Sequence, residues 1–108
     1  MSQLLLDNFG YLHLLACCPS HQRAVLLTSA TPEQVHAICE VCFNLLRGAI
    51  PLSHTQKGRL RPHADVLREL ADSSVPYKTK KALLAQKGGG FVSDVMTPLM
   101  SALSLFLL

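Results

Sequence analysis

Apolar residues recur at helical spacing along most of this chain, and no segment alternates apolar and polar residues as a half-buried strand does. The clearest stripe falls at positions i, i+3, i+7 and i+10, occupied by Val35, Ile38, Cys42 and Leu45. Thr31 precedes the stripe and Gln34 stands three residues later, which is typical of a capping box at a helix start. Gly48 follows the stripe and favours a helix end. The pattern predicts a helix over about residues 32–47.

Prolines and a second capping pattern divide the rest of the chain into short helices. An apolar segment over about residues 2–16 must end before Pro19, because proline cannot continue a helix. Ser53 and Gln56 repeat the capping-box spacing, and Pro62 ends the helix that follows them. Further helices are expected over about residues 21–28, 63–72 and 77–87. The sequence therefore predicts an all-α fold, a small helical bundle of about five short helices with a C-terminal amphipathic helix after a glycine hinge.

Three consecutive glycines at residues 88–90 mark a clear boundary. Each glycine costs about 1 kcal/mol relative to alanine inside a helix, so we expect the helical pattern to stop there. This divides the chain into a helical body over residues 1–87, a glycine hinge over 88–90 and a tail over 91–108. Polar residues at positions 94, 97, 101 and 104 form one stripe, which predicts an amphipathic helix. Its expected membrane-binding face consists of Phe91, Val92, Val95, Met96, Leu99, Leu103 and Phe106.

The tail allows three interpretations. A helix that lies in the membrane interface fits the polar stripe and the wide apolar face. A core helix that folds back onto the body fits the same pattern. A membrane-spanning helix fits less well, because about 20 apolar residues are usual and the tail includes Ser93, Asp94 and Pro98. The sequence leaves these alternatives open.

Positive charge is concentrated in the second half of the body. Residues 57–87 contain eight Lys and Arg against three Asp and Glu, a balance of +5, whereas the other residues balance at −2. A cationic surface favours a polyanionic partner, either nucleic acid or an acidic membrane, and the alternative is an ordinary solvated face. Binding to nucleic acid would be non-specific, since phosphate contact needs only exposed Lys and Arg. The candidate nucleic-acid-binding residues are Lys57, Arg59, Arg61, Arg68, Lys78, Lys80 and Lys81.

Candidate metal-binding and catalytic residues do not form a recognised pattern. Cys39 and Cys42 have CxxC spacing, but no second CxxC exists, and Cys17 and Cys18 are adjacent. We interpret the cysteines as free thiols in a reducing, intracellular compartment, because the N-terminal apolar run has no basic region before it. The chain lacks nucleophile-elbow, phosphate-loop and dinucleotide-binding motifs. We therefore expect a non-enzymatic protein with no metal and no cofactor.

One long stretch carries a more specific signal. The string TPEQVHAICEVCFNLLRGAIPLSHTQKGRLRPHADVLRELA is followed by KTKKALLAQKGGGF and an apolar tail. In order and spacing this resembles a small virion or core-type accessory protein of Maverick/Polinton transposons and adintovirus-like viruses, over about residues 20–100. The resemblance implies a transposon-derived internal capsid protein precursor of the adenovirus-like kind. Asp65, Glu69 and Asp72 dilute the lysine-rich character that such proteins have, which weakens the expectation that this chain condenses nucleic acid.

The resemblance also implies partners and a processing site. Adenovirus-type proteases cut after Gly-Gly when an aliphatic residue or Gln stands two positions before the pair. Cleavage here would release the tail as a membrane-active peptide, and the alternative is a flexible hinge that is never cut. The implied partners are nucleic acid, capsid proteins, a membrane surface and an adenovirus-type protease. The residues similar to the cleavage pattern are Gln86, Gly88, Gly89 and Gly90.

Three functional hypotheses follow. The first is a virus-like structural protein of the nucleus, cytoplasm or virion, whose basic body binds nucleic acid or the capsid interior and whose tail engages membrane or capsid. The second is a helical protein–protein interaction module of the death-domain size class, with the tail packed as its last helix. The third is a small tail-inserted membrane protein.

Overall fold

The computed structural model describes residues 2–107, and within that range the chain forms seven α-helices and no strand. The predicted all-α class is confirmed. The predicted count of about five helices is not confirmed. One reason is that Asn8 leaves helical geometry (φ −109°, ψ 14°) and divides the first predicted helix in two. The helices are α1 (Gln3–Asp7), α2 (Phe9–Cys17), α3 (Ser20–Thr28), α4 (Pro32–Leu46), α5 (His54–Leu60), α6 (Ala64–Ala71) and α7 (Tyr77–Leu107), with a 3₁₀ turn (Arg61–His63) between α5 and α6.

Both predicted capping boxes form. At the start of α4, the Gln34 backbone N–H donates to Thr31 Oγ1 over 3.2 Å, and the Thr31 N–H donates to Gln34 Oε1 over 2.9 Å. Ser53 and Gln56 make the same reciprocal pair at the start of α5, with distances of 3.1 and 2.9 Å. Each box satisfies two backbone N–H groups that have no partner within the helix. The starts of α4 and α5 are therefore determined by local sequence.

The core lies around α4, which packs against α1, α2, α6 and α7. Seven of its side chains are buried, including Val35, Ile38 and Cys42 from the predicted stripe. The Cα radius of gyration is 12.7 Å, close to the ~13 Å of a compact domain of 100 residues. The described residues thus form one folded unit with a single core.

Helix α7 bends at Gly88, whose φ of +72° and ψ of −164° are not helical. A positive φ is accessible to glycine at little cost, which accounts for glycine at this point. The bend separates an N-terminal arm, residues 77–87, from a C-terminal arm that begins at residue 89. The glycine run was expected to end the helix, but helical geometry resumes directly after Gly88.

The C-terminal arm belongs to the same core as the body. Its apolar face packs against the body, and the buried side chains are Phe91, Val92, Val95, Met96 and Leu99. The arm therefore packs with the body within the described residues, and the division into a body over residues 1–87, a hinge over 88–90 and a tail over 91–108 stays a prediction. Burial on the body removes the apolar face from water, which stabilises the docked arrangement by about 25 cal/mol per Å² of apolar surface.

Candidate functional site

Five of the seven candidate nucleic-acid-binding residues are exposed. Lys57 and Arg61 are four residues apart and therefore lie on one side of the α5 helix and the turn that extends it. Lys81 is half-buried and Lys80 is buried. The structure places the exposed cations on three separate elements: Lys57, Arg59 and Arg61 on α5 and the 3₁₀ turn, Arg68 on α6, and Lys78 on α7.

Lys80 is only 8% exposed, and its expected contact with phosphate stays a prediction. Lys80 is four residues before Leu84 and three after Tyr77, so it shares the inward side of α7 with them. Leu84 is fully buried, and the Tyr77 ring meets His36 of α4 edge-on at 6.0 Å. A long lysine stem can cover apolar surface in such a position while its ammonium reaches toward water. The spacing to Leu84 is the sequence signal that would have identified Lys80 as an inward residue.

Arg68 and Lys78 each have a carboxylate nearby. Arg68 Nη1 lies 3.1 Å from Asp65 Oδ1, in an exposed pair three residues apart on α6. Lys78 and Glu69 line the same shallow cleft of about 460 Å³ between α6 and α7. Within the described part of the chain, Lys57, Arg59 and Arg61 form no ion pair. The strongest candidate for polyanion binding is therefore the group Lys57, Arg59 and Arg61, which we call the α5 cation cluster.

The candidate cleavage residues surround the bend in α7. Gln86 and Gly90 are exposed, and Gly88 is half-buried. Gly89 falls within the helical range, but its exposure lies outside what the structure describes. Helical residues flank the bend on both sides, so a protease that binds an extended substrate would require these turns to open locally.

Most of the expected membrane-binding residues that the structure describes point into the body. Phe91, Leu99 and the residues between them on the same face are 0–5% exposed, and Leu103 is half-buried. The side chain of Phe106 lies outside the described residues. No helix in the described range combines the length and the apolar character needed to cross a bilayer. Of the interpretations open at the sequence level, the core helix matches this packing.

His63 connects the basic half of the chain to the C-terminal arm. Its ring meets the Phe91 ring at 5.2 Å between centroids, with the planes inclined by 69°. His63 Nε2 lies 4.0 Å from Asp94 Oδ2, and both side chains are about 30% exposed. His63 lies two residues after Arg61, so the 3₁₀ turn that ends the α5 cation cluster also contacts the C-terminal arm.

The cysteines are free thiols in two different environments. Burial raises the pKa of Cys39 and Cys42, and the nearby Lys80 ammonium opposes the rise in both. Cys17 is exposed at the end of α2, with its Sγ 3.7 Å from His13 Nε2. Among the described residues, no three His, Cys, Asp or Glu side chains converge as metal ligands would.

Sequence reasoning missed two surface features. Phe43 and Leu46 of α4 are 47% and 44% exposed beside Arg47, whose guanidinium lies 5.3 Å from the Phe43 ring centroid. They border a cleft of about 440 Å³ between α4 and α6. The second feature is an apolar cleft of about 570 Å³ between α2 and the C-terminal arm of α7. The i, i+4 spacing of Phe9, His13 and Cys17 was the available signal for this second cleft.

No protein-family model, curated protein or solved structure matches this chain. The resemblance to the transposon and adintovirus proteins therefore stays a prediction.

Proposed function

We propose that this chain is a non-enzymatic, virus-like structural protein that binds a polyanion, either nucleic acid or an acidic inner capsid surface, through the α5 cation cluster. The observation that supports this most directly is that Lys57, Arg59 and Arg61 are exposed and form no ion pair within residues 2–107. Unpaired surface cations release the counterions of a nucleic acid when they bind its phosphates, and this drives association without base recognition.

In this proposal the C-terminal arm is kept inactive by its packing. Its apolar face is buried against the body, so it becomes available to a membrane or a capsid protein only after it leaves the core. The bend at Gly88 would serve as the hinge for that movement. Cleavage after Gly89 by an adenovirus-type protease would remove the covalent link between the arm and the body. The cut arm would remain bound until local unfolding released it.

A salt series with duplex DNA tests the polyanion proposal. We expect binding that weakens steeply as salt rises, and we expect the triple variant Lys57→Gln, Arg59→Gln, Arg61→Gln to reduce the slope of log K against log salt by about 3. The matched control places the same change in net charge on exposed α3 positions, as Gln22→Glu, Ala24→Glu and Val25→Glu. Equal losses in the two triple variants would show that only net charge matters, and salt-independent binding would contradict the proposal.

Incubation with an adenovirus-type protease, followed by intact-mass measurement, tests the processing step. We expect one cut after Gly89, and we expect Gly88→Ala with Gly89→Ala to prevent it. Cleavage of the folded chain should be slower than cleavage of an unfolded peptide, because the helical turns that flank the site must open first. If the protease cleaves a short peptide of residues 84–93 but not the full chain under the same conditions, the processing step is wrong. The polyanion-binding proposal is not affected by that result.

A second candidate function is a helical protein–protein interaction module. Two observations favour it: the C-terminal arm packs as the last helix of the core, and Phe43 and Leu46 are exposed beside Arg47. Aromatic side chains and arginine are enriched at protein interfaces. The test is sedimentation of the intact chain against a Phe43→Gln, Leu46→Gln variant over a concentration series. Self-association lost in the variant supports the module, and a monomer at every concentration counts against a homotypic one.

A further inference from the structure

One face of α2 combines a thiol, an imidazole and an aromatic ring. Phe9, His13 and Cys17 are spaced by four residues, so they lie in a row along the helix. The Phe9 and His13 rings stack with 6.1 Å between centroids and 24° between planes. His13 Nε2 lies 3.7 Å from Cys17 Sγ, at the exposed end of the row. The stacking holds the imidazole in position against the thiol.

The row forms one wall of the 570 Å³ cleft, and Gly10 also lines it. The opposite wall is the C-terminal arm of α7, through Thr97, Met100 and Leu103. Phe9 and Leu103 also border a second apolar cleft of about 660 Å³, between α1, the end of α4 and α7. Each cleft has the size of a small-ligand site, and the two share Phe9 and Leu103 in their linings.

We propose that Cys17 is an acylation site that accepts a long-chain acyl group from an acyl thioester and holds the chain in this cleft. His13 Nε2 takes the thiol proton, and the sulfur attacks the carbonyl carbon of the thioester. The tetrahedral intermediate then expels the donor's thiolate, which takes the proton from His13. One carbon–sulfur bond forms and one breaks, with no change of oxidation state.

Position distinguishes Cys17 from the other three thiols. Cys39 and Cys42 are buried in the core, where an acyl donor cannot reach them. Cys18 is half-buried and does not line the cleft, and its carbonyl accepts a hydrogen bond of 2.6 Å from Arg23 Nη2. Cys17 combines exposure, a neighbouring base and an apolar cleft beside it.

The place of Cys17 in α2 gives His13 its role. Cys17 is the last residue of the helix, and His13 lies one turn before it with Nε2 3.7 Å from Cys17 Sγ. A thiol attacks as its thiolate, so a base at this position can take the proton as the sulfur reacts.

Intact-mass measurement with palmitoyl-CoA and the full chain tests the proposal. We expect one added acyl group that hydroxylamine removes, as it does a thioester. Cys17→Ser should abolish the addition, and Cys18→Ser, the matched control at the adjacent position, should leave it unchanged. His13→Gln should slow the reaction about a hundredfold near neutral pH.

A second comparison separates the cleft from simple thiol reactivity. Gly10 lines the cleft, and a Cβ added there meets nothing within 4 Å, so Gly10→Leu can fill the cleft without a clash at its Cβ and with better helix propensity. Gly10→Leu should slow transfer from palmitoyl-CoA at least tenfold more than it slows transfer from acetyl-CoA. Equal labelling of Cys17 and Cys18, equal rates for the two donors in the native chain, or no transfer at all would each overturn the proposal.

Discussion

The imidazole of His63 stands edge-on against the phenyl ring of Phe91, with 5.2 Å between the two centroids. His63 ends the 3₁₀ turn of the body, and Phe91 is the third residue after the bend at Gly88. Asp94, almost one helical turn further along, brings Oδ2 to 4.0 Å from His63 Nε2. Because Phe91 is only 3% exposed, this contact holds the start of the C-terminal arm inside the body.

Removal of the Phe91 ring should destabilise the fold strongly. Truncation of a buried phenylalanine typically costs about 3–5 kcal/mol, through lost transfer free energy and the cavity left behind. The matched control is Phe43→Ala, because Phe43 is 47% exposed and should lose about 1 kcal/mol or less, mostly its contact with Arg47. Urea unfolding measures both variants. Equal free energies of unfolding for the two would contradict the burial of the C-terminal arm.

The Thr31 cap should contribute measurably to stability. Thr31→Ala removes the oxygen that accepts the Gln34 N–H, and loss of such a cap typically costs about 1 kcal/mol. Thr31→Ser keeps a hydroxyl at the same place and should stay within a few tenths of a kcal/mol of the native chain. Thermal unfolding of the two variants checks the difference. If Thr31→Ser lowered the unfolding temperature as much as Thr31→Ala does, the lost stability would not come from the cap.

These caps show which parts of the fold the sequence could predict. Thr31 with Gln34 and Ser53 with Gln56 act within one helical turn, so residue type and spacing were sufficient to predict both boxes. The break at Asn8 was not predicted, because Asn8 leaves helical geometry without a side-chain cap for α2 and without a proline nearby. Local sequence signals therefore predicted the capped starts of α4 and α5. They did not predict the break at Asn8, which has neither a side-chain cap nor a proline.

The placement of the C-terminal arm could not be predicted, for a physical reason. An apolar stripe from Phe91 to Leu99 has the same periodicity whether it faces lipid or a protein core. The difference lies in long-range contacts, such as that between Phe91 and His63, which no local pattern encodes. The burial of Lys80 was missed for a related reason. A lysine is expected at the surface from its residue type, but its four-residue spacing to the buried Leu84 puts it on the inward side of α7.

Tyr11 should make stability depend on alkaline pH. Its hydroxyl donates to the Leu26 carbonyl over 3.1 Å, and burial raises the pKa of Tyr11 from 10.0 to about 12. The folded protein holds the phenol proton more tightly than the unfolded chain does. The resulting stability is fully present below pH 10 and is lost as the pH rises through about 12.

Tyr11→Phe is the variant that isolates this effect. Near neutral pH it should lower the free energy of unfolding by about 1 kcal/mol, because the hydrogen bond to Leu26 is lost. Urea unfolding measures this change. The difference from the native chain should shrink above pH 10 as the tyrosine of the unfolded chain ionises. A difference that stayed constant across this range would show that the folded phenol titrates normally.

The thiols should differ in reactivity toward an alkylating agent. Burial raises the pKa of Cys42, so its thiolate is scarce near neutral pH and the agent has no access to it. Cys17 is exposed and should react first, with Cys39 and Cys42 protected until the chain unfolds. Iodoacetamide labelling with peptide mass mapping checks the order, and the same reaction in guanidinium, where all four should react, is the control. Early labelling of Cys42 would show that the core opens readily.

A chain that ends after Gly89 tests whether residues 91–103 are part of the core. Besides Pro98, the truncation removes five buried apolar side chains of the described arm, each worth about 1.5–3 kcal/mol, from a fold whose total stability is expected to be about 5–15 kcal/mol. We predict that the shortened chain shows no cooperative thermal transition, and that a synthetic peptide of residues 90–108 restores one. A cooperative transition near the native temperature without the peptide would contradict the account, because it would show that the body folds without the C-terminal arm.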